Sequence, residues 1–401
     1  MKRAAGAMRV IGLMSGTSAD GIDAALVDIS GAAPAISARL VGHYHTSFPS
    51  RVRKRILRIA NMPATTTAEI SELNFVLGEC FANAAIEACR RWKVPIGRIS
   101  LIGSHGQTIY HQGAPGIALG ARRVASTLQI GELGVIAERS GVPTIGNFRP
   151  RDIAAGGHGA PLVPFVDYLL YRDQHLSRVA LNIGGIANVT VIPAKARPKD
   201  VFAFDTGPGN MIVDALVERF TKGRATYDRN SRIALSGRTI PELLASMMRQ
   251  PYLRMKPPKT AGREQFGQRY ADVLAAWGKK HRAEFADVLR TATVFTSLSI
   301  ADAFHQFILP RVKVNELIVA GGGTRNPLIM AQLAAALPDI DIVSPDEFGV
   351  PSEAKEAFAF AVLAYESFNG RPNNLPSATG ASHPVVLGDF AHGSRFGDMK
   401  R

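Results

Sequence analysis

The sequence predicts an α/β protein built from two related domains. Its 401 residues exceed what one hydrophobic core usually supports, which favours two domains. A strand, a glycine turn and a second strand open each half of the chain, in Arg9–Ile29 and again in Val179–Ile192. Recurrence of such a pattern indicates a duplicated fold. We expect residues 1–177 to form the first domain and residues 178–401 the second, and the C-terminal helix and tail are candidates for returning to the first.

The first hairpin has a tip that suits phosphate groups. The apolar strand Arg9–Met14 breaks into a turn of Ser, Gly and Thr, and Ala19–Asp23 leads into a second strand. Such a tip offers backbone N–H groups, hydroxyls and two carboxylates, which together can hold a polyphosphate and its magnesium ion. It is neither a P-loop nor a dinucleotide fingerprint, because it lacks GK[ST], a directly following helix and the G-x-G-x-x-G spacing. An ordinary hairpin with a polar turn is the alternative.

The net charge of +14 raises the question of a nucleic-acid partner. The densest basic cluster is Arg51–Arg55, followed by Arg58 one turn later, and apolar residues between them keep helical spacing. That pattern is typical of the solvated face of an amphipathic helix, which we favour over a nucleic-acid patch. We therefore expect no nucleic-acid partner, and a basic surface that can steer anionic substrates towards the protein.

A longer helix is predicted over residues 67–93, where apolar side chains recur at helical spacing. Its two cysteines, Cys80 and Cys89, form neither a metal spacing nor a disulfide framework, which fits a reducing cytoplasm. No apolar run approaches the roughly 20 residues of a membrane-spanning helix, and the basic segment Met1–Met8 lacks the apolar stretch of a signal peptide. With 46% hydrophobic and 20% charged residues, the composition is that of a soluble globular protein, and we expect no membrane partner.

Two polar segments follow short buried strands in the first half. Gly103–Thr108 comes after Ile99–Ile102, and Gly146–Asp152 comes after Gly141–Ile145. Open α/β sheets build sites from such segments, at the carboxyl ends of strands. Sugars need many directional donors and acceptors, and the side chains here supply them. The candidate sugar residues are His105, Gln107, Thr108, Asn147, Arg149 and Asp152.

Asp205 is the candidate catalytic residue of the second half. The apolar strand Val201–Phe204 ends in this single carboxylate, and a turn with Gly207 and Gly209 follows. A helical pattern then begins, with Asn210 as the predicted N-cap. A carboxylate beside a glycine turn and a helix N-terminus suits a base that acts next to a phosphate. A capping aspartate in a tight turn is the alternative.

Further along, the pattern predicts an irregular insertion over residues 250–268 and a helix over residues 286–309. A buried strand then precedes Ala320–Asn326, whose three successive glycines would let a flat base or ribose approach the backbone closely. A last helix over residues 351–361 carries Glu356 on its first turns. After Gly370 we expect a coil rich in Pro, Gly and Asn.

Five motifs resemble those of the anhydro-N-acetylmuramic acid kinases, in family order and over nearly the whole chain. They are Gly12–Asp23, Gly103–Thr108, Leu181–Asn188, Phe204–Asn210 and Ala320–Asn326. The resemblance implies the two-domain architecture of actin, Hsp70 and sugar kinases, with ribonuclease-H-like domains and ATP in a cleft between them. It also implies an ATP-dependent enzyme that opens the 1,6-anhydro ring of anhydro-N-acetylmuramic acid with water and phosphorylates O6, giving N-acetylmuramate 6-phosphate for murein recycling.

The resemblance also assigns roles to residues. Asp205 becomes the general base on the attacking water, and Glu356 a carboxylate that reaches the substrate. The implied nucleotide and phosphate residues are Gly16, Thr17, Ser18, Ala19, Asp20, Gly21, Ile22, Asp23, Gly184, Gly185, Asn188, Gly207, Gly209, Asn210, Gly321, Gly322 and Gly323.

One departure from the wider superfamily affects the expected Mg²⁺ site. Met14 stands where related sugar kinases carry an aspartate two residues before the glycine. We therefore expect the metal contact to come from Asp20 or from water alone. The extension Phe390–Arg401 has no counterpart to which we assign a function.

Two alternatives stay open from the sequence. A kinase for another amino sugar or short-chain acid would keep the fold, and Asp205 would then deprotonate a hydroxyl directly. An ATP-switched binding or regulatory protein would keep the fold without the chemistry, although Met1–Val10 is too short for a helix-turn-helix. We expect a cytoplasmic enzyme that binds ATP and its sugar, and a homodimer is among the assemblies we expect.

Overall fold

The computed structural model describes residues 6–62, 64–119 and 122–394. Residues 1–5 of the predicted basic N-terminal segment and residues 395–401 of the C-terminal extension lie outside the described residues. The chain forms two compact units. Unit 1 contains Met1–Leu169 and Gly349–Arg401, and unit 2 contains Leu170–Phe348. Unit 1 thus includes the C-terminal helix and tail as well as the N-terminal segment.

The N-terminal part of unit 1 combines six strands with five α-helices in its described residues. In chain order its elements are β1 (Met8–Ser15), β2 (Gly21–Ser30), β3 (Ser37–Ser47), α1 (Ser50–Asn61), α2 (Thr67–Trp92), β4 (Leu101–Leu119), β5 (Arg122–Ile130), α3 (Leu133–Ser140), β6 (Thr144–Gly146), α4 (Arg149–Ala154) and α5 (Val163–Tyr171).

Unit 2 follows, and the chain then returns to unit 1. The elements of unit 2 are β7 (Arg178–Ile183), β8 (Ile186–Ile192), β9 (Phe202–Pro208), α6 (Met211–Phe220), α7 (Arg232–Ser236), α8 (Pro241–Met248), α9 (Pro251–Arg254), α10 (Arg263–Phe266), α11 (Gln268–Lys280), α12 (Phe285–Ala303), β10 (Glu316–Ala320), α13 (Pro327–Ala336) and β11 (Asp341–Val343). The returning elements are α14 (Lys355–Phe368), α15 (Pro376–Thr379) and β12 (Asp389–Ala391).

The two units contain sheets with the same strand plan. In unit 1 the order is β3-β2-β1-β4-β6, extended by β12, with β5 attached to β4. In unit 2 the order is β9-β8-β7-β10-β11. Each unit begins with three antiparallel strands. On the other side of the first strand, β4 and β6 in unit 1 and β10 and β11 in unit 2 run parallel to it, whereas β5 is antiparallel to β4. The predicted fold class, two related α/β domains, is confirmed, while the residue 177/178 boundary and the ATP cleft stay predictions.

The predicted helices form because each has an apolar face to bury. On α1 the basic side chains of Arg51, Arg53 and Lys54 are exposed, whereas Ile56 and Ile59 are buried, as the amphipathic pattern predicts. The helix α2 starts at its cap Thr66, whose hydroxyl accepts from the Glu69 N–H. No helix of the described ranges is long and apolar enough to cross a membrane.

Several local predictions were wrong, including the coil expected after Gly370, which contains α15 and β12. Gly103–Thr108 is not a loop after a strand but part of the long strand β4, which pairs with β1, β5 and β6. Arg149–Asp152 belongs to α4, whose second residue is a proline, a favoured residue in a first helical turn. The segment 250–268 is not wholly irregular, because it contains the short helices α9 and α10.

Two glycines bring α14 against the sheet of unit 1. A Cβ on Gly12 of β1 would lie 1.8 Å from the Ala357 carbonyl oxygen, and one on Gly103 of β4 would lie 2.3 Å from that of Phe360. Both contacts are to the helix backbone, which cannot rotate away as a side chain can. The absence of a side chain at these two positions therefore sets how closely α14 packs, and with it the position of Glu356 in the first turn.

The Gly12→Ala substitution tests this packing. Because the added methyl group meets backbone rather than a flexible side chain, we expect the free energy of unfolding in urea to fall by about 1–3 kcal/mol. Gly134→Ala is the matched control, since its Cβ would lie 3.5 Å from Glu132 Oε1, an ordinary contact. Equal stability of the two variants would contradict the packing argument.

Candidate functional site

The tip of the first hairpin is held in one shape by hydrogen bonds from within unit 1. The Ala19 N–H donates to the Gly16 carbonyl at 3.2 Å, and Ala19 has a left-handed backbone with φ 50°. Gln107 of β4 donates from Nε2 to the same carbonyl at 3.1 Å, and its Oε1 accepts from Ser15 Oγ at 2.7 Å. Gln107 is 1% exposed, so it braces the tip instead of offering its amide to a ligand.

The tip leaves open space on one side. A Cβ on Gly16 would meet Ser18 Oγ at 3.9 Å as its nearest atom, so the protein itself does not require glycine there. Ser18 Oγ donates to Asp20 Oδ1 at 2.9 Å, and both residues are exposed. A glycine, a hydroxyl and a carboxylate thus lie together at the exposed tip, and such groups can contact a phosphate.

The position opposite Met14 carries a carboxylate. In the β1–β2 register Met14 faces Asp23, so the two side chains share one face of the sheet. Asp23 Oδ1 contacts His43 Nε2 at 3.0 Å and His45 Nδ1 at 3.1 Å, both from β3. Sequence reasoning missed these two histidines, and the signal was their i, i+2 spacing on one strand face.

A buried histidine and an arginine form the centre of the polar cluster in unit 1. Arg149 donates from Nη2 and Nε to His105 Nε2, at 2.9 and 3.2 Å, and from Nη1 to the Gly159 carbonyl at 2.7 Å. Since arginine can only donate, His105 Nε2 must be unprotonated. The proton then sits on Nδ1, which donates to the Gly106 carbonyl at 3.0 Å.

Burial controls the charges in this cluster. Desolvation, aided by the positive charge of Arg149, lowers the pKa of His105 well below its ordinary value, so the imidazole is neutral. Desolvation also lowers the pKa of Arg149 to about 10, against the opposing effects of Glu356 and Asp152. Arg149 therefore stays cationic near neutral pH, and a guanidinium is a group suited to bind an anion.

Glu356 belongs to the same cluster. It retains solvent-exposed surface, yet desolvation by the surrounding protein raises its pKa. The positive charge of Lys355 opposes this effect, the negative charge of Asp23 adds to it, and Arg149 opposes it. A carboxyl group whose pKa is raised can hold or accept a proton in a reaction more readily than a fully solvated one.

The other predicted sugar residues have different partners. Asp152 is fully buried, and its carboxylate accepts from Asn374, Thr379 and the Gly159 N–H. These bonds fasten the C-terminal tail to α4. Asn147, with φ 55°, donates to Asp389 at 2.6 Å and lines a separate cavity of unit 1. Thr108 Oγ1 accepts from Gln129 Nε2 at 3.3 Å.

Asp205 lies within β9 of unit 2, not at its end. Its N–H donates to the Lys259 carbonyl at 3.1 Å, and its Oδ2 accepts from the Ala261 N–H at 2.8 Å. Its own carbonyl accepts from Tyr252 Oη at 2.8 Å. The segment predicted to be an irregular insertion therefore holds both the backbone and the side chain of Asp205. The proline pair at 257–258 predicts a turn in this segment, but nothing in the sequence predicts that the segment contacts Asp205.

Desolvation raises the pKa of Asp205 to about 6, against the lowering effects of the Ala261 N–H and the positive charge of Lys259. A carboxylate with this pKa is ionised at neutral pH and is more basic than an ordinary aspartate. Such a group suits general-base catalysis near neutral pH.

The glycine turns of unit 2 are packed against one another. The turn between β7 and β8 accepts three backbone N–H groups, because Gly209 and Met211 donate to Gly185 and Asn210 donates to Gly184. Asn210 precedes α6 but does not cap it, since its side chain donates to the Ile183 carbonyl and its backbone is already helical. The predicted N-cap interaction is therefore wrong.

The glycine segment Ala320–Asn326 contains two glycines that the fold requires and one that faces open space. Gly321 has φ 89°, and a Cβ on Gly323 would lie 2.2 Å from the Ile183 side chain, so the fold itself requires both. Gly322 has no such clash and lines a cavity of about 610 Å³ in unit 2. The other lining residues are Asn210, Val213, Asp214, Thr226, Tyr227, Asp228, Arg229, Asn230, Arg325 and Asn326.

Asp214 is the titratable group of this cavity with a shifted pKa. Desolvation, aided by Glu218, raises its pKa to about 7. The segment 226–230 was missed by sequence reasoning, because a polar loop without glycines carries no signal for a ligand. Gly207 and Asn188, also predicted for the nucleotide, lie on the β8–β9 pair, where Asn188 is opposite Asp205.

Within the described ranges, no three His, Cys, Asp or Glu side chains converge on a metal site. An Mg²⁺ ion that arrives with a nucleotide needs one or two carboxylates, the other ligands being phosphates and waters. The exposed carboxylate of Asp20, beside the open side of the hairpin tip, fits that limited role.

Comparison with known proteins identifies the family. The sequence profile described as "Anhydro-N-acetylmuramic acid kinase" matches residues 8–392. The anhydro-N-acetylmuramic acid kinase of Caldanaerobacter subterraneus subsp. tengcongensis is 44% identical over 95% of this chain and 96% of its own length. The enzyme of that name from Bacillus cereus strain AH820 is 45% identical over 96% of this chain and 99% of its own. The chain belongs to the anhydro-N-acetylmuramic acid kinase family.

Among solved structures, the activator of 2-hydroxyisocaproyl-CoA dehydratase from Clostridium difficile with bound ADPNP covers 90% of this chain and 96% of its own, at 11% identity and a TM-score of 0.44. Membership of the anhydro-N-acetylmuramic acid kinase family confirms the resemblance stated from the five motifs. All five motifs fall within the matched residues 8–392.

The protonation of His105 can be tested directly. Nitrogen-15 spectra should show His105 as the neutral Nδ1–H form throughout pH 6–8, because burial and Arg149 suppress its protonation. The signal is assigned by its loss in His105→Gln. A histidine signal at this position that protonates between pH 6 and 7 would show that the Arg149 contact is not maintained in solution.

Proposed function

We propose that this protein is an ATP-dependent kinase that hydrolytically opens the 1,6-anhydro ring of anhydro-N-acetylmuramic acid and phosphorylates O6. The products are N-acetylmuramate 6-phosphate and ADP. The observation that carries the proposal is the family match over residues 8–392, with 44–45% identity to relatives named for this activity. In a cell the reaction serves the recycling of murein, and we propose the cytoplasm as its site and a homodimer as the assembly.

The chemistry requires one base on water. Asp205 takes a proton from the water that adds to the anomeric carbon, the bond from that carbon to O6 breaks, and O6 attacks the γ-phosphorus as ADP leaves. The oxygen that leaves the acetal is basic enough to attack without a base of its own. Support comes from the Ala261 N–H, which holds Oδ2 and so fixes the direction of Oδ1.

The sugar is proposed to bind at the His105–Arg149 cluster. The cationic Arg149 suits the carboxylate of the lactyl group, and the neutral His105 keeps the guanidinium oriented. Glu356, with its raised pKa, is the carboxyl group proposed to exchange a proton with the substrate. Thr108 and Asn147 stay candidate contacts, whereas Gln107 and Asp152 are reassigned to positioning because they are buried and internally bonded.

The hairpin residues 16–23 are proposed to hold the phosphates. Gly16 leaves space, the hydroxyls of Thr17 and Ser18 are exposed at the tip, and Asp20 would hold the Mg²⁺ ion. When bound, that ion neutralises charge on the phosphate oxygens. In unit 2 the cavity beside Gly322 is proposed for the base and ribose, and backbone bonds at Gly184, Gly185 and Gly209 support the segment of Asn210, which lines it.

An isotope experiment tests the reaction against a simpler kinase. With anhydro-N-acetylmuramic acid, ATP and oxygen-18 water, the proposal predicts one label at C1 of the 6-phosphate product by mass spectrometry. N-Acetylmuramic acid and N-acetylglucosamine are the comparison substrates, and we expect ADP release to be much slower with them. Efficient phosphorylation of a plain amino sugar or short-chain acid without label would favour the alternative kinase.

Asp205→Asn tests the assignment of the base. We expect kcat to fall by at least about 10²–10⁴-fold, because the amide cannot accept the proton. Since Asp205 has a pKa of about 6, the wild-type kcat should rise with pH through about 6 and be lost below it. The amide can still accept from the Ala261 N–H, so thermal melting should match the wild type. A stable variant with kcat within tenfold of wild type would refute the assignment.

A further inference from the structure

Lys259 is a buried cation surrounded by aromatic rings. It is 4% exposed, and its Nζ lies 4.7 Å from the ring centroid of Phe307, 4.8 Å from that of Tyr252 and 5.9 Å from that of Phe204. Rings at these distances attract a cation through their negative faces. A cage of three rings would also accommodate a neutral apolar side chain, however, and burying a charge is costly. The presence of a charge here therefore calls for a charged partner.

The hydrogen bonds of Lys259 lead to Asp205 by two routes. Through its ammonium group, Lys259 donates to the carbonyls of Tyr252 and Leu253, each at 3.3 Å. Tyr252 in turn donates from Oη to the Asp205 carbonyl. Through its backbone, Lys259 accepts from the Asp205 N–H, and two residues later Ala261 donates to Oδ2. The aromatic residue Phe204 precedes Asp205 directly on β9, so the cage and the carboxylate share one strand.

We propose that Lys259 is a positioning residue for Asp205: its buried ammonium supplies the positive charge that keeps the carboxylate ionised, and its segment fixes where the carboxylate points. The inference rests on the proposed function of Asp205 as the base. Lys259 touches neither water nor sugar in this proposal, and it acts through Asp205 alone.

Two other titratable groups interact electrostatically with the pair. Asp302 of α12 acts on Lys259, and Tyr252 of α9 interacts with Asp205, whereas β8 carries no titratable side chain. Desolvation lowers the pKa of Lys259 to about 8, and Asp302 and Asp205 oppose this effect, so Lys259 is largely charged at neutral pH. Its charge lowers the pKa of Asp205, whereas desolvation raises it. Asp205 is thus basic enough to take a proton and still ionised when the reaction begins.

Three variants separate charge from anchoring. Lys259→Gln keeps a donor for the Tyr252 and Leu253 carbonyls but removes the charge, Lys259→Arg keeps the charge, and Lys280→Met removes an exposed lysine of the same unit. We expect the acidic midpoint of kcat to move up by about 0.5–1 pH unit in Lys259→Gln, because the carboxylate loses its cation. The midpoint should stay near wild type in Lys259→Arg and Lys280→Met. A lower kcat in Lys259→Gln with an unmoved midpoint would overturn the proposal.

A measurement without ligand tests the coupling between Lys259 and Asp205 independently of the proposed role of Asp205 as the base. The carbon-13 signal of the Asp205 carboxylate, assigned by its loss in Asp205→Asn, should titrate near pH 6 in the wild type. A second, smaller step near pH 8 should follow as Lys259 loses its proton, and it should be missing in Lys259→Arg. Because the titration near pH 8 is measured in the wild type, this test does not depend on whether Lys259→Gln folds. Its absence from the wild type would overturn the proposal, whereas an active Asp205→Asn enzyme would refute the base assignment and leave the coupling intact.

Discussion

The close packing of α14 on the sheet of unit 1 is the constraint on which its polar cluster depends. The helix backbone lies directly on Gly12 and Gly103, where a single Cβ would collide with a carbonyl. The first turn of the helix carries Glu356, whose pKa responds to Asp23 of β2 and Arg149 of α4. Glu356, Asp23 and Arg149, which are far apart in the sequence, thus interact electrostatically because β1 and β4 each have a glycine where the helix packs.

Desolvation is the largest cause of the pKa shift at five buried or partly buried groups of the two units. It raises the pKa of Asp205, Asp214 and Glu356, and it lowers that of His105 and Lys259. In each case burial favours the neutral form, and the neighbouring charge decides how far the shift goes. Asp205 and Asp214 thus have pKa values of about 6 and 7, and the neutral His105 accepts from Arg149 at Nε2 while its Nδ1 donates to the Gly106 carbonyl.

The sequence predicted secondary structure, which depends on neighbours along the chain. It did not predict hydrogen bonds between residues that are far apart in the sequence. The two hairpins, the strand that carries Asp205 and the helix that carries Glu356 follow from local pattern. The bond from Ala261 to Asp205 spans 56 residues, and no periodicity reports it. Asp152 shows the opposite error, since a polar residue after a strand resembles a ligand contact, yet its partners Asn374 and Thr379 lie more than 200 residues away.

The duplicated sheet uses its first turn differently in the two units. In unit 2 the carbonyls of Gly184 and Gly185 are occupied by the N–H groups of the segment that follows Asp205, so the turn is a support for β9 and α6. In unit 1 the corresponding turn is longer, and Gln107 braces it from behind while Ser18 and Asp20 stay exposed. A phosphate-binding tip needs exposed groups, and a general base needs a fixed strand. If the tip binds phosphate and Asp205 is the base, as proposed, one strand plan meets both needs because the length of a single turn differs.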